Sequence, residues 1–323
     1  MISALRSLSA LLIGILLLAT SQPAAAALMP NDVSGLALWL RADAGVFSDD
    51  AGTTLATTGQ TAERWNDQSG LGHTADGLND PKFVTGAVNG LPVINFSGGV
   101  ANSESNRFVL QNPTTGVANP ITTNPDQWTI FAVFRQDLND TSNAMLFSHR
   151  DSTTELVQAS LTGGDTALLQ MRGSGNDLIA VEVPGVVNGE FNIAMFQFDT
   201  VNDAHAVSVN GPTEVTSTHD FGAETFNADT QRIGTFRAGT NLEGVVVRGA
   251  YLNGDIAELL VYDDVALSPA EKNAIGFYLQ SKYGLAGGYA GPPAVVPEPS
   301  SFVLVALGAL VCAFVTSRRR CRT

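Results

Sequence analysis

The chain has 323 residues, 44% of them hydrophobic, and its 31 acidic against 17 basic side chains give a formal charge of −14 at pH 7. A surface with that excess of carboxylates repels phosphate, so nucleic acid is excluded as a natural partner. The two cysteines, Cys312 and Cys321, both stand close to the C-terminus, which leaves the body of the protein without a disulfide.

The N-terminal stretch MISALRSLSALLIGILLLATSQPAAAALMP has the layout of an export leader. Arg6 is a positive start, Leu8 to Leu18 is apolar and uncharged, and Ala24, Ala25 and Ala26 are small residues suited to cleavage. Residues 1–26 therefore read as a signal peptide. Setting aside Arg6, the C-terminal Arg318, Arg319, Arg320 and Arg322, and Glu298 removes five positive charges and one negative, and leaves −18 for the remainder. Such a surface suits a soluble extracellular protein and offers oxygen ligands to Ca²⁺.

From Leu28 onward, short apolar runs alternate with Gly, Asn, Asp and Thr. LALWL (Leu36–Leu40), LPVINF ending at Phe96, and RFVL (Arg107–Leu110) read as strands. WTIFAVFR (Trp128–Arg135) has the composition and length of a buried strand, and AMLFSH, TALLQM, LIAVEV and FNIAMFQFD continue the series. In AVSVNGPTEV, Asn210-Gly211 predicts a two-residue hairpin turn, because both residues tolerate positive φ. GDIAELLVYDD, from Gly254, is the last strand.

One internal helix is predicted. Ser268 caps it, Pro269 opens it, Glu271 completes an S-x-x-E capping box and Gly284 ends it. Ala274, Ile275, Tyr278 and Leu279 form its apolar stripe. The domain is expected to end at residue 287, with residues 288–296 a Gly/Pro linker. Many short strands and one helix predict an all-β, antiparallel two-sheet jelly-roll sandwich.

The tail is organised differently. Phe302 to Val315 is apolar and uncharged, a little short of a relaxed membrane span, and four arginines follow it. Pro297, Glu298 and Pro299, then this helix, then the arginines, closely resemble the PEP-CTERM sorting signal, here residues 297–323. The resemblance implies a Gram-negative bacterium that makes exopolysaccharide. It also implies a membrane-anchored precursor with transient inner-membrane insertion, and an exosortase-type protease as processing partner.

A second resemblance covers most of the remaining chain. GLALWLRADAGV (Gly35–Val46), WNDQSGLGHTA (Trp65–Ala75) with NGLPVINFSG (Asn89–Gly98), and GDIAELLVYDDVALSPAEKNAIGFYLQSKYGL (Gly254–Leu285) are similar to bacterial LamG-like, concanavalin A-like domains. It implies a jelly roll over residues 28–287. Functionally it spans carbohydrate-binding and adhesion modules, Ca²⁺-dependent binders and glycan-degrading enzymes. The expectation is an exported, non-catalytic binding protein of the cell surface or exopolysaccharide matrix, with extracellular polysaccharide as the ligand class. A polysaccharide-degrading enzyme and a structural matrix protein are the alternatives.

The residues themselves carry little chemistry. No two acids stand at i and i+2, the spacing that puts two carboxylates on one side of a strand across a glycosidic bond. Asp255 and Glu258, three apart, are expected to face opposite sides. His73, His149, His205 and His219 lack local metal-ligand spacing and read as surface or turn residues. Trp39 and Trp128 lie in apolar runs and read as core, whereas Trp65 is the tryptophan placed to approach a rim. WNDQSGLGHTADGLND is the most oxygen-rich loop, and Asn66, Asp67, Asp76, Asn79 and Asp80 are the candidate Ca²⁺ ligands. Against that, Asp67 and Ser69 are residues that close local turns with their own backbone, and the acids lack the fixed offsets of an EF-hand loop.

Overall fold

The computed structural model describes residues 28–97, 106–111, 121–122, 125–138, 143–150, 155–163, 165–226, 230–235 and 251–291. The leader, the Pro297-Glu298-Pro299 motif and the apolar tail lie outside the described residues.

Seventeen strands are described, in the order β1 (Leu36–Arg41), β2 (Val46–Phe47), β3 (Arg64–Asn66), β4 (Thr74–Leu78), β5 (Lys82–Val88), β6 (Leu91–Ser97), β7 (Arg107–Gln111), β8 (Gln127–Gln136), β9 (Ala144–Arg150), β10 (Leu156–Thr162), β11 (Thr166–Arg172), β12 (Leu178–Pro184), β13 (Asn192–Asp199), β14 (His205–Val209), β15 (Glu214–Ser217), β16 (Thr230–Ile233) and β17 (Asn253–Asp263). A single α-helix, α1 (Pro269–Tyr283), follows. The strands form two antiparallel sheets. The first runs β15-β14-β13-β8-β17-β6-β5, with β1 paired to the C-terminal part of β17. The second runs β12-β11-β10-β9-β16-β7-β4-β3-β2.

The sequence patterns of the two sheets differ because their surroundings differ. On β8, Trp128, Ile130, Ala132 and Phe134 face the inter-sheet core, while Phe131 and Val133 face the cluster under α1. Both faces are covered, so the strand is apolar almost throughout, and every residue of β13 is buried for the same reason. β11 alternates buried and half-buried residues along TALLQMR, the mark of a strand with one face in the core.

Helix α1 is built as expected. Ser268 Oγ accepts from Glu271 N at 3.3 Å, Glu271 Oε2 accepts from Ser268 N at 2.8 Å, and Gly284 closes the helix in the left-handed region at φ 63°. The buried face is Ile275, Tyr278, Leu279 and Tyr283, with Ala274 half-buried. Lys272 is also buried, and its ammonium is held by Glu214 at 2.6 Å and Gln197 at 3.1 Å.

Two expectations need correction. The turn at Asn210-Gly211 is wider than two residues, since Ser208 opposes Glu214. Asn210 instead exchanges bonds with Ile193 of β13: its N donates to Ile193 O at 2.8 Å and its Oδ1 accepts from Ile193 N at 2.9 Å. The ordered domain also runs past residue 287 to Gly291. Gly288 N donates to Asn210 O at 2.8 Å, and Asn273 Nδ2 donates to Ala290 O at 2.8 Å. Tyr289 is buried with its ring on Gly276, where a Cβ would stand 2.2 Å from a ring carbon. Only glycine lets the strap lie that close to the helix.

Gly276→Ala should therefore lower unfolding free energy by about 1–3 kcal/mol, the usual cost of forcing extra volume into a packed contact. Combined with Tyr289→Ala, the two costs should be strongly non-additive in denaturant unfolding. Simple additivity would show that ring and helix do not meet.

Candidate functional site

The stretch read as an oxygen-rich loop is a β-hairpin, β3–β4. Asp67 closes its turn: Oδ1 accepts from Ser69 N and from Trp39 N, each at 2.8 Å, and Oδ2 accepts from Ser69 Oγ at 2.5 Å. Asn66 is the last residue of β3. Asp76 lies within β4 beside Arg64, with Nε to Oδ1 at 3.8 Å, and burial raises its carboxyl above the usual range. Asn79 and Asp80 form the next turn at φ 59° and 72°, and Asp80 is held by Lys82 at 2.5 Å and by Thr61. The five candidate ligands thus occupy two turns and two strands. Among the described residues there is no group of three or more His, Cys, Asp or Glu placed to hold a metal ion.

With Asp67 and Asp80 already engaged by protein donors, Ca²⁺ and Mg²⁺ at equal ionic strength should shift the melting temperature equally, through general screening. A calcium-specific rise that Asp67→Asn with Asp80→Asn removes would instead place the ion in this hairpin.

The carboxylates of β17 depart from simple alternation. Asp255 opposes Arg135, Ile256 opposes Phe134, and Glu258 opposes Val133, so Ala257 is an extra residue in a bulge. The bulge puts Asp255 and Glu258 on the same face, the one that carries α1, and not on opposite faces as expected. Neither is disposed as a catalytic acid. Asp255 is buried, accepts from Asn95 Nδ2 at 2.8 Å and pairs with Arg135. Glu258 is fully buried and takes four donors. Trp39 Nε1 donates to Oε1 at 2.6 Å and Tyr278 OH at 3.2 Å, while Lys282 Nζ and Tyr283 OH each lie 2.7 Å from Oε2. Burial, reinforced by the charge of Glu258, pushes both tyrosine hydroxyls well above their usual range and keeps them as donors. Glu258→Gln turns an amide toward Lys282 and should cost about 3–5 kcal/mol in unfolding experiments, as for breaking a buried pair. A cost near zero would contradict this assignment.

Three of the four histidines are buried: His73 in the turn before β4, and His149 and His205 on strands, where both ring nitrogens find partners, as a buried neutral imidazole requires. His149 Nδ1 lies 3.3 Å from Gln231 Nε2 and its Nε2 2.9 Å from Phe226 O. His205 Nδ1 accepts from Asp199 N at 3.2 Å and its Nε2 faces His219 O at 3.1 Å. Burial lowers the affinity of His205 and His73 for a proton. His219 alone is partly exposed, 3.6 Å from Asp177. The three tryptophans are all buried: Trp39 and Trp128 as expected, and Trp65 in the core with Nε1 donating to Arg41 O at 3.0 Å. None offers a stacking face at a rim.

A concavity formed by described residues lies on the second sheet. A cleft of about 250 Å³ is lined by Asn143, Met145, Gln158, Ser160, Leu161, Leu168 and Gln170, from β9, β10, β11 and the residue before β9. Cross-strand pairing sets the lining. Gln158 opposes Ser148 and Gln170, and Ser160 opposes Met145 and Leu168, while Val157, Ala159 and Leu161 point into the inter-sheet core. Gln158 is 2% exposed, and its Nε2 finds no hydrogen-bond partner among the described residues. These residues were not singled out in the sequence. The available signal was the period-2 alternation of LVQASLT, with Gln158, Ser160 and Thr162 between apolar residues.

Comparison with known proteins bears on the address and on the fold. Residues 295–320 match the PEP-CTERM protein-sorting motif. The chain therefore carries that signal: it is an exported, membrane-anchored precursor destined for the cell surface, and the motif implies processing by an exosortase. No curated protein matches the sequence significantly. Among solved structures, the botulinum neurotoxin serotype G binding domain aligns over 77% of this chain and 54% of its own at 10% identity, with a TM-score of 0.51. The CBM40 domain of Ruminococcus gnavus IT-sialidase bound to α2,3-sialyllactose aligns over 46% of this chain and 80% of its own, at 22% identity and a TM-score of 0.36. A leech intramolecular trans-sialidase aligns over 47% and 23% at 21% identity and a TM-score of 0.37. The first of these likenesses agrees with the two-sheet, all-β fold. Among the described residues, no helix is long and apolar enough to cross a membrane.

Proposed function

We propose that the exported domain is a non-catalytic, jelly-roll glycan-binding module of the cell surface or exopolysaccharide matrix, and that it binds in the cleft on the second sheet. The observation that carries this reading is Gln158, a buried amide that lines the cleft and has no partner for its Nε2 among the described residues. A buried donor left unmade costs stability, and a ligand acceptor entering the cleft would satisfy it. The rest of the lining suits a sugar. Asn143, Ser160 and Gln170 supply neutral donors and acceptors for hydroxyls, and Met145 and Leu168 supply apolar surface for the C–H faces of a ring. The lining holds no carboxylate, whereas glycoside hydrolysis ordinarily needs two across the scissile bond. Asp255 and Glu258, on one face of β17, are committed to holding the fold.

Gln158→Leu keeps the size of the side chain and removes the unpaired amide. On a glycan array the variant should lose binding by roughly tenfold or more, while its melting temperature stays level or rises. Binding that survives the substitution would show that the ligand site is elsewhere. Absence of any glycan bound by the unaltered protein would favour a structural role in the matrix.

A further inference from the structure

We infer that β12 is an interface: two copies of the chain pair antiparallel along this strand and join their second sheets into one. The other sheet edges are short or already covered. On β5, Gly59 N donates to Phe83 O at 2.8 Å and Phe83 N to Gln60 O at 2.9 Å. On β2 and the residue after it, Ala56 N donates to Val46 O at 3.0 Å and Ser48 N to Thr54 O at 2.9 Å. On β1, Trp39 N donates to Asp67 Oδ1 and Trp39 O accepts from Gln68 N, each at 2.8 Å. β15 ends the first sheet but has only four residues. β12 is different. All seven residues of LIAVEVP pair with β11, and among the described residues no other segment bonds to the strand's backbone. A bare edge of that length is a template for another strand.

The backbone fixes which residues bond outward. Gly185 N donates to Asp165 O at 3.0 Å, toward β11, and Pro184 before it has no N–H to give. Successive residues of a strand bond to opposite sides, so Leu178, Ala180 and Glu182 turn both N–H and C=O to the open side. Pro184 turns its C=O there, on the side where an edge strand tolerates proline. The pattern is its own complement. With a twofold axis at Val181, Ala180 of each copy opposes Glu182 of the other, Ile179 opposes Val183, and Leu178 opposes Pro184. Buried Val181 and Val183 and half-buried Ile179 then extend the inner apolar face, and exposed Ala180 and Glu182 the outer one. The two glutamates are offset, whereas a register shifted by two residues either opposes them directly or loses pairs at the strand ends. This offset commits the edge to a second copy. Leu178, 45% exposed, is covered in the pairing. One strand pair is small beside the area of a permanent dimer, so association is weak and depends on concentration. On the glycan reading above, pairing sets two clefts on one face of a continuous sheet, where one polymer can engage both.

The test is sedimentation of the protein without glycan between about 1 μM and 1 mM, the range of weak association, so its outcome is independent of the glycan reading. A monomer–dimer equilibrium is expected. Ala180→Glu sets like charges opposite each other, twice per dimer by symmetry, and should weaken association about tenfold. Ala180→Lys sets lysine opposite glutamate and should leave association level or tighten it severalfold. Ala180 is exposed, so both variants should keep the circular dichroism of the unaltered protein. A monomer throughout the range, or a dimer indifferent to Ala180→Glu, would overturn the interface. Equal weakening by glutamate and lysine would overturn the self-complementary register.

Discussion

The carboxylate of Glu258 holds together parts of the chain that lie far apart in sequence. From β17 it accepts from Trp39 of β1 and from Tyr278, Lys282 and Tyr283 of α1. Trp39 continues the chain of contacts, because its backbone N donates to Asp67 and its O accepts from Gln68 N at 2.8 Å, which sews the β3–β4 turn onto β1. Lys282 reaches further, to Asp43 at 3.0 Å, and Arg41 lies over the Trp39 ring at 5.1 Å. A fully buried carboxylate is tolerable only when its lone pairs are satisfied. Here the donors come from β1 and α1 and the acceptor from β17, so each of the three elements must be in place for the others to be stable.

That network explains what three stretches of the sequence do. Gly35–Val46, Trp65–Ala75 and Gly254–Leu285 carry the resemblance to LamG-like domains; the first and last meet at Glu258, and the second joins them through the bonds of Asp67 and Gln68 to the Trp39 backbone. Their residues specify how the helix and the β3–β4 turn dock on the first sheet. The bulge at Ala257 is part of the same device, since it turns Glu258 toward the helix while Ile256 and Leu259 remain in the inter-sheet core. With its outer face closed by α1 and the strap ending at Gly291, the first sheet is the framework. The second sheet turns amides, hydroxyls and arginines outward from a shared core, and this contrast supports assigning ligand binding to it.

Much of the fold was legible because the signals were local. Ser268 and Glu271 form their capping box and Gly284 its left-handed stop, and the long apolar runs of β8 and β17 are strands covered on both sides. What was not legible depended on distant partners. Asp67 reads equally as a turn residue and as a candidate Ca²⁺ ligand, because nothing nearby in sequence announces that Trp39 donates to it. Asp255 and Glu258 were assigned to opposite faces because strict alternation was assumed, and a bulge is set by the partner strand β8. His149 and His205 read as surface or turn residues in sequence, whereas they are buried on strands with their nitrogens satisfied by Gln231, Phe226, Asp199 and His219, from other turns and strands. The cleft was missed for a related reason. Gln158, Ser160 and Gln170 are ordinary polar residues until three strands align them.

The central claim is a division of labour, with the first sheet and helix as framework and the second sheet as binding face. It is tested most directly by mapping backbone amide chemical shifts while an oligosaccharide bound on the glycan array is titrated into isotope-labelled protein. The account predicts perturbations concentrated on β9, β10 and β11, around Gln158, Ser160 and Gln170, with α1 and the β3–β4 turn unmoved. Perturbations centred on α1, Trp39 or the Asp67 turn would contradict it.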